Sequence, residues 1–528
     1  MLLYHIRDRC FTRWPYDFLM QSISFLVGVS SFVFFCFWAG ICGVQRELFP
    51  KKKIRKERLV FMKRFMDEDF LLNSELAEDL YHEYAEKLPI IDYHTHIPVR
   101  DIAENRQYHN LAEALVDNPV ARRLMRGNGV PEKYITGGEA PARERFQYFA
   151  KALEKAVGNP LYTWVHLILR RVFDCRHVLS AATADEVWTH CEEKIQDGSV
   201  SARSLLTAGH VETLFTADCP EDTLKWHRML REEAYPVKIL PVMHPDAALD
   251  IADPEWGNYM LYDLGQTADV DITTMRDVRE ALAKRIAYFD AMGCRTADHG
   301  FPRIVYREAE EYELDDIVGR VIHGKGAPSQ EEIEKYQTAL LRFLGKQYAE
   351  HGWVMQIHYG ILHDVNQAMK VRLGTDAGFD CISASSNGEG LARLLDLLSR
   401  EEALPRMIVS SMNPADEVVI GSILGAFQAG EPGHLQLGPS WWVNQTPDGI
   451  RRQFATMASL GILGTGVGFA TDMRSVMFWP CHEYYRRILC DYLADQVLKG
   501  IYPSDQDALG MLIRNVCYEN IKSFFHIE

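Results

Sequence analysis

From residue 66 onward, short apolar runs rich in Val, Ile and Leu alternate with longer stretches of helical period. Eight such runs surface in polar residues: 88–96, 211–217, 237–243, 294–300, 353–360, 406–412, 434–441 and 466–472. Near-continuous apolar strands followed by helices predict a parallel sheet covered on both faces. Eight strand–helix repeats predict an α/β chain closed as a (β/α)8 barrel of the TIM type, occupying 66–528. Residues 97–210 separate the first two runs, too long a span for a loop. Within it, 143–157, 161–172 and 183–195 read as amphipathic helices, with Thr183 and Glu186 spaced for a capping box. We therefore expect a helical insertion subdomain over 101–208, after the first strand and above the barrel's C-terminal face.

The first 61 residues break this pattern. No charged residue occurs over 18–45, a length that suits a bilayer, and Lys51-Lys52-Lys53-Ile54-Arg55-Lys56 follows. One reading is a membrane segment with the barrel on the cytoplasmic side. The favoured reading is sequence upstream of a start at Met62 or Met66, so that a membrane is involved only if 1–61 is translated.

Composition adds constraints. The chain has 528 residues, 47% apolar and 25% charged, an ordinary globular balance. A formal charge of −16 argues against nucleic acid as a general partner. The 11 cysteines form no C-x-x-C, which fits free thiols in a reducing cytoplasm. A homo-oligomer is compatible with all of this.

In a barrel of this kind, the chemistry sits where the strands end. The first run ends in His94 and His96, and residues i and i+2 of a strand share a face, so two imidazoles come side by side. The fourth ends Ala297-Asp298-His299-Gly300, the fifth Gln356-Ile357-His358, the seventh Ser440-Trp441-Trp442 and the eighth Thr471-Asp472-Met473-Arg474. Taken singly, each has a bland reading as cap, structural histidine or core aromatic. Closure of the barrel sets the eighth run beside the first. His94, His96 and Asp472 then form a facial set for one divalent metal, with zinc the expected ion.

These residues resemble the amidohydrolase superfamily of metal-dependent barrels and, within it, the uronate (glucuronate) isomerase family. The resemblance runs from about residue 66 to the end. It is carried by Met66-Asp67-Glu68-Asp69-Phe70-Leu71, Ile91-Asp92-Tyr93-His94-Thr95-His96, Gly158-Asn159-Pro160-Leu161-Tyr162, Ser201-Ala202-Arg203 and Ala297-Asp298-His299-Gly300. Met355-Gln356-Ile357-His358, Gly378-Phe379-Asp380, Thr471-Asp472-Met473-Arg474-Ser475 and the stretch from His482 to Cys490 complete it. It implies interconversion of D-glucuronate with D-fructuronate and of D-galacturonate with D-tagaturonate, by proton transfer between C2 and C1 through a cis-enediol. It implies that His94, His96 and Asp472 hold the metal. Asp472, Arg474, Asp298 and His358 would be catalytic, and Arg474 and Trp441 would contact a small hexuronate, with His244 and His363 where the family's carboxylate-site arginines usually stand.

The chain also departs from the family. The usual His-Tyr pair ahead of the segment 123–130 is absent, Asn118-Pro119-Val120 standing there instead. His244 and His363 each replace a usual Arg, a large change at a carboxylate site. Tyr93, Tyr108 and His109 are the candidate substitutes, and altered or narrowed substrate choice is expected. A two-metal hydrolase of the superfamily is disfavoured, since Ser410-Ser411 ends the sixth run and no Lys ends the fourth. A membrane-anchored binding protein with a decayed site is disfavoured by the retained polar set.

Overall fold

The computed structural model describes residues 63–384 and 388–528, and residues 63–528 form one compact unit. The expected extension and its apolar segment over 18–45 lie outside the described residues. Among the described residues, no helix is long and apolar enough to cross a membrane.

Seven parallel strands make one curled sheet: β1 (Ile90–Thr95), β2 (Val211–Asp218), β3 (Lys238–Met243), β4 (Thr296–Phe301), β5 (Val354–Tyr359), β8 (Arg406–Ser411) and β9 (Leu435–Leu437), adjacent in that order. A separate antiparallel hairpin, β6 (Ile361–Leu362) and β7 (Cys381–Ile382), lies in the loop after β5. Helices connect the strands, the principal ones being α1 (Pro119–Gly127), α2 (Ala142–Leu153), α3 (Pro160–Arg171), α4 (Ala184–Gln196), α5 (Lys225–Glu232), α6 (Met275–Ala291), α7 (Gln330–His351), α8 (Gln367–Leu373), α9 (Gly388–Arg400), α10 (Glu417–Ala426), α11 (Pro447–Leu460), α12 (Cys481–Leu498) and α13 (Asn520–Phe524).

The eighth run differs from the expectation. Residues 466–472 form no strand. Gly468 sits at φ +67°, and a Cβ there would lie 2.7 Å from the Val516 carbonyl oxygen, so the backbone hugs its neighbour and leaves the ladder geometry. The run still closes onto β1. Asp472 N–H donates to the His94 carbonyl (3.1 Å), and His96 N–H donates to that of Met473 (3.0 Å). The Asp92 carboxylate accepts from both Thr471 N–H (3.1 Å) and Thr471 Oγ1 (2.6 Å).

The barrel is packed, not hollow. Ile91, Tyr93, Phe215, Val242, Val354, Ile408, Val467 and Ala470 meet inside it. The C-terminal segment closes the base, where Phe525 stacks on Tyr93 (5.0 Å between centroids) and leans on Phe215 (5.4 Å).

Between β1 and β2 the chain is helical. α1 starts at the Asn118 cap with Pro119 in its first position, and α3 at the Asn159 cap with Pro160, as missing-donor chemistry favours. The expected capping box at Thr183 does not form. Thr183 Oγ1 instead donates to the Val178 carbonyl and accepts from Ser180 N–H, so it is spent on the preceding turn. These helices share one apolar cluster with the N-terminal turn, β1, β2 and α12.

Candidate active site

β1 carries a register irregularity between Asp92 and Thr95 against β2. Such a bulge turns a strand and re-aims its side chains. Here the His94 and His96 rings lie 5.2 Å apart and nearly perpendicular. Both Nε2 atoms stand 3.2 Å from one oxygen, Oδ1 of Asp472. Asp472 occupies the left-handed region at φ +55°, which Asp tolerates better than most residues. Its second oxygen, Oδ2, accepts a 2.6 Å hydrogen bond from the Trp441 indole. One carboxylate oxygen is thus committed to the histidine pair and the other is pinned by the tryptophan.

Asp298 lies below this group, 3% exposed. Its Oδ1 meets His358 Nδ1 at 2.7 Å, and its Oδ2 lies 3.3 Å from His244 Nδ1 and 3.9 Å from His94 Nδ1. The register explains the meeting. Asp298 pairs with Gln356 across β4 and β5, so His358, two residues on, shares its face. His358 also packs against the Trp441 ring at 5.0 Å. Asp246 stands 3.4 Å from His244 Nε2 and accepts from Gly300 N–H at 2.8 Å.

The charges are mutually dependent. Burial disfavours a charged His94, but Asp298 and Asp472 outweigh it and raise its pKa to about 9. Burial likewise opposes charge on His244, and Asp246 and Asp298 outweigh it, again to about 9. Burial would raise the two carboxyl groups, yet His94 and His358 hold Asp298, and His94 and His96 hold Asp472, well below the usual carboxylate range.

The donor set fits a divalent ion. The ligand atoms of His94, His96 and Asp472 lie within 4.8 Å of one another, as do those of His94, Asp298 and His358. Ligands about 2.0–2.1 Å from a tetrahedral ion stand roughly 3.3 Å apart, close to the two 3.2 Å separations. Two imidazoles and one carboxylate also leave coordination positions open.

The cavity above these groups has a volume of about 900 Å³. Every residue proposed from the sequence lines it: His94, His96, His244, Asp298, His358, His363, Trp441, Asp472 and Arg474. The geometry places them differently, however. Arg474 is half-exposed and donates through Nη1 to Asp376 at 3.0 Å. His363 is exposed and stands 3.4 Å from Asp380 Oδ1. Of the three substitutes considered for the missing phenol, only Tyr108 lines the cavity, its hydroxyl 2.7 Å from Ser475 Oγ. Tyr93 is at the barrel base instead, and burial pushes its phenol far up.

Several contributors escaped the sequence reading. The strap 363–382 supplies Asp376 and Asp380, and α1 holds it by its backbone. Arg122, Arg123 and Arg126 donate to the carbonyls of Asp376 (3.2 Å), Asp380 (2.7 Å) and Ala377 (2.5 Å). Asp92 was also missed, although a carboxylate inside an apolar strand signals a buried partner. Trp441, expected to contact the hexuronate, also donates its indole N–H to Asp472 Oδ2, a role no sequence signal gives.

A curled parallel sheet with His-x-His ending its first strand and an aspartate on the run that closes it defines an α/β-barrel enzyme whose strand ends carry a donor set able to hold a metal. The glucuronate isomerase family model matches residues 62–525, and the chain belongs to that family. It is 40% identical over 469 residues to the uronate isomerase of Bacillus pumilus, covering 88% of this chain and 98% of that one. It is 42% identical over 471 residues to that of Edwardsiella ictaluri, covering 88% and 100%. Among solved structures, uronate isomerase from Thermotoga maritima superposes with a TM-score of 0.82 at 30% identity, over 88% of this chain and 100% of that one. Glucuronate isomerase from Caulobacter crescentus, at 23% identity, shares the fold with a TM-score of 0.81, over 88% and 97%.

Proposed function

We propose that the chain is an aldose–ketose isomerase of hexuronates, moving a proton between C2 and C1 of the open-chain sugar. The observation that carries this reading is the pinned carboxylate: Asp472 with Oδ1 at the histidine pair and Oδ2 on Trp441. A carboxylate fixed on one face of a bound sugar can take the C2 proton and return it to C1 without releasing the substrate, which makes the enediol cis. The same donors that keep Asp472 ionised also weaken it as a base, so the enediolate needs stabilisation from elsewhere. Arg474 lines the same cavity, and with Nη1 alone engaged, by Asp376, among the described residues it has further N–H donors for a substrate oxygen.

A divalent ion held by His94, His96 and Asp472, zinc being our expectation, would supply Lewis-acid polarisation of the carbonyl oxygen. The substrate carboxylate is read by His244 and His363 with Arg474, and Tyr108 offers the site its phenol. Because histidines present fewer donors than a guanidinium, we expect a narrowed choice of uronate. The eight cysteines among the described residues are all free, which supports placement in a reducing cytoplasm.

The test is purified full-length chain incubated with D-glucuronate and D-galacturonate in deuterated water. Ketose formation with label at the transferred position supports the reading, and Asp472→Asn serves as control. Turnover of no uronate would sink it, and equal robust turnover of both would remove the narrowed-choice part.

A further inference from the structure

Asp298 has more histidine neighbours than any simple catalytic role requires. It presents a carboxylate to three imidazoles, and all three approach it through the same ring atom. His358 Nδ1 lies 2.7 Å from Oδ1, while His244 Nδ1 and His94 Nδ1 lie 3.3 Å and 3.9 Å from Oδ2. The group is 3% exposed, and both its oxygens face these rings. An ionised carboxylate only accepts hydrogen bonds, so a ring nitrogen facing it closely is one that bears a proton. In a neutral imidazole that leaves Nε2 as the lone-pair atom. His94 differs, since its Nε2 stands 3.2 Å from the Asp472 carboxylate and its Nδ1 only 3.9 Å from Asp298, so Asp298 does not set its tautomer. For His358, whose ring lines the cavity, Nε2 is the polar atom that Asp298 does not engage.

We infer that Asp298 is a positioning residue: a buried carboxylate that fixes the Nδ1–H tautomer of His358 and thereby leaves the lone pair of its Nε2 for the cavity. The inference rests on the isomerase reading only for its consequence, since the tautomer is a property of the folded chain. That consequence is a hydrogen-bond acceptor at the cavity, to which a substrate hydroxyl can donate. Asp298 therefore acts through His358.

The experiment uses full-length chain labelled with 15N-histidine, at alkaline pH where the imidazoles are neutral, with and without zinc. Nitrogen shifts and long-range couplings identify which ring nitrogen bears the proton. The expected result is Nδ1–H for His358 in both states. Nε2–H at His358 in the wild-type protein overturns the proposal with no variant needed. In Asp298→Asn, His358 should lose its preference for Nδ1–H. A folded Asp298→Asn protein with the His358 tautomer unchanged also overturns it. Failure of the chain to isomerise any uronate would refute the functional reading and leave these readouts intact.

Discussion

Replacing Trp441 by Phe separates the indole's hydrogen bond from its bulk. The ring against His358 is kept, while the 2.6 Å N–H donor to Asp472 Oδ2 is removed. Hydrogen bonds to charged groups contribute about 1.5–3 kcal/mol, equivalent to roughly 10- to 150-fold in rate if the whole effect falls on the transition state. Two effects oppose each other. Without its donor, the carboxylate rotates more freely and loses its aim at C2. It also becomes a stronger base, because a stabiliser of its ionised form is gone, and that recovers part of the rate. The net expectation is a fall in kcat near the lower end, about tenfold. KM should change less, since the indole N–H contacts Asp472 and not the substrate. The assay is steady-state turnover of D-glucuronate together with exchange of the C2 proton into deuterated water. A variant within about twofold of wild type in kcat would refute the idea that the indole aims the base.

Further outcomes are expected from groups remote from the reaction. Phe525→Ala opens a cavity at the barrel base and should cost about 3–5 kcal/mol, with Phe525→Leu losing far less; calorimetry showing equal melting midpoints for the two variants would contradict the plug. His166 is buried, with Nδ1 on the Tyr162 carbonyl and Nε2 accepting from Leu179 N–H, and burial lowers its pKa from 6.5 to about 4. Its folded pKa lies below the unfolded one, so its contribution is complete above about pH 6.5 and is lost as pH falls toward 4, worth about 3 kcal/mol. The stability difference between wild type and His166→Gln should shrink across that window on acidification, and a difference constant with pH would refute this assignment. Arg126 joins Glu132 to the Ala377 carbonyl and lies over Phe379, so Arg126→Ala should speed hydrogen exchange across 374–380. Unchanged exchange there would mean that α1 does not hold the strap.

How much was legible in the sequence depended on the kind of signal. His94, His96 and Asp472 could be brought together because a strand's period of two and closure of a barrel are general rules. The strand ends at Asp298 and His358 were found the same way, as polar residues terminating apolar runs. Thr183 was misread because a local pattern cannot show that Ser180 and Val178 compete for the same hydroxyl. The strap carries no such signal, because nothing in Asp376, Ala377 or Asp380 announces that three arginines some 250 positions away, 254 in the case of Arg122, hold their carbonyls. Nor could the sequence show that Trp441 would use its N–H as well as its face.

The eighth run explains why an irregular segment carries the central carboxylate. A regular strand there would hold residue 472 in the extended region, whereas the structure has it left-handed at φ +55°. Such a conformation persists only where its surroundings over-determine it. Here the surroundings are specific: Asp92 holds Thr471 by backbone and hydroxyl, the Asp472 N–H is tied to the His94 carbonyl, and the His96 N–H is tied to that of Met473. His482 of α12 stands 3.3 Å from Asp92 Oδ2, linking this arrangement to the outer helix. The histidines and the carboxylate are therefore positioned by hydrogen bonds between the same two segments of backbone. Their relative placement does not depend on a long ladder, which allows the run to bend at Gly468 while the 3.2 Å spacings of the site are kept.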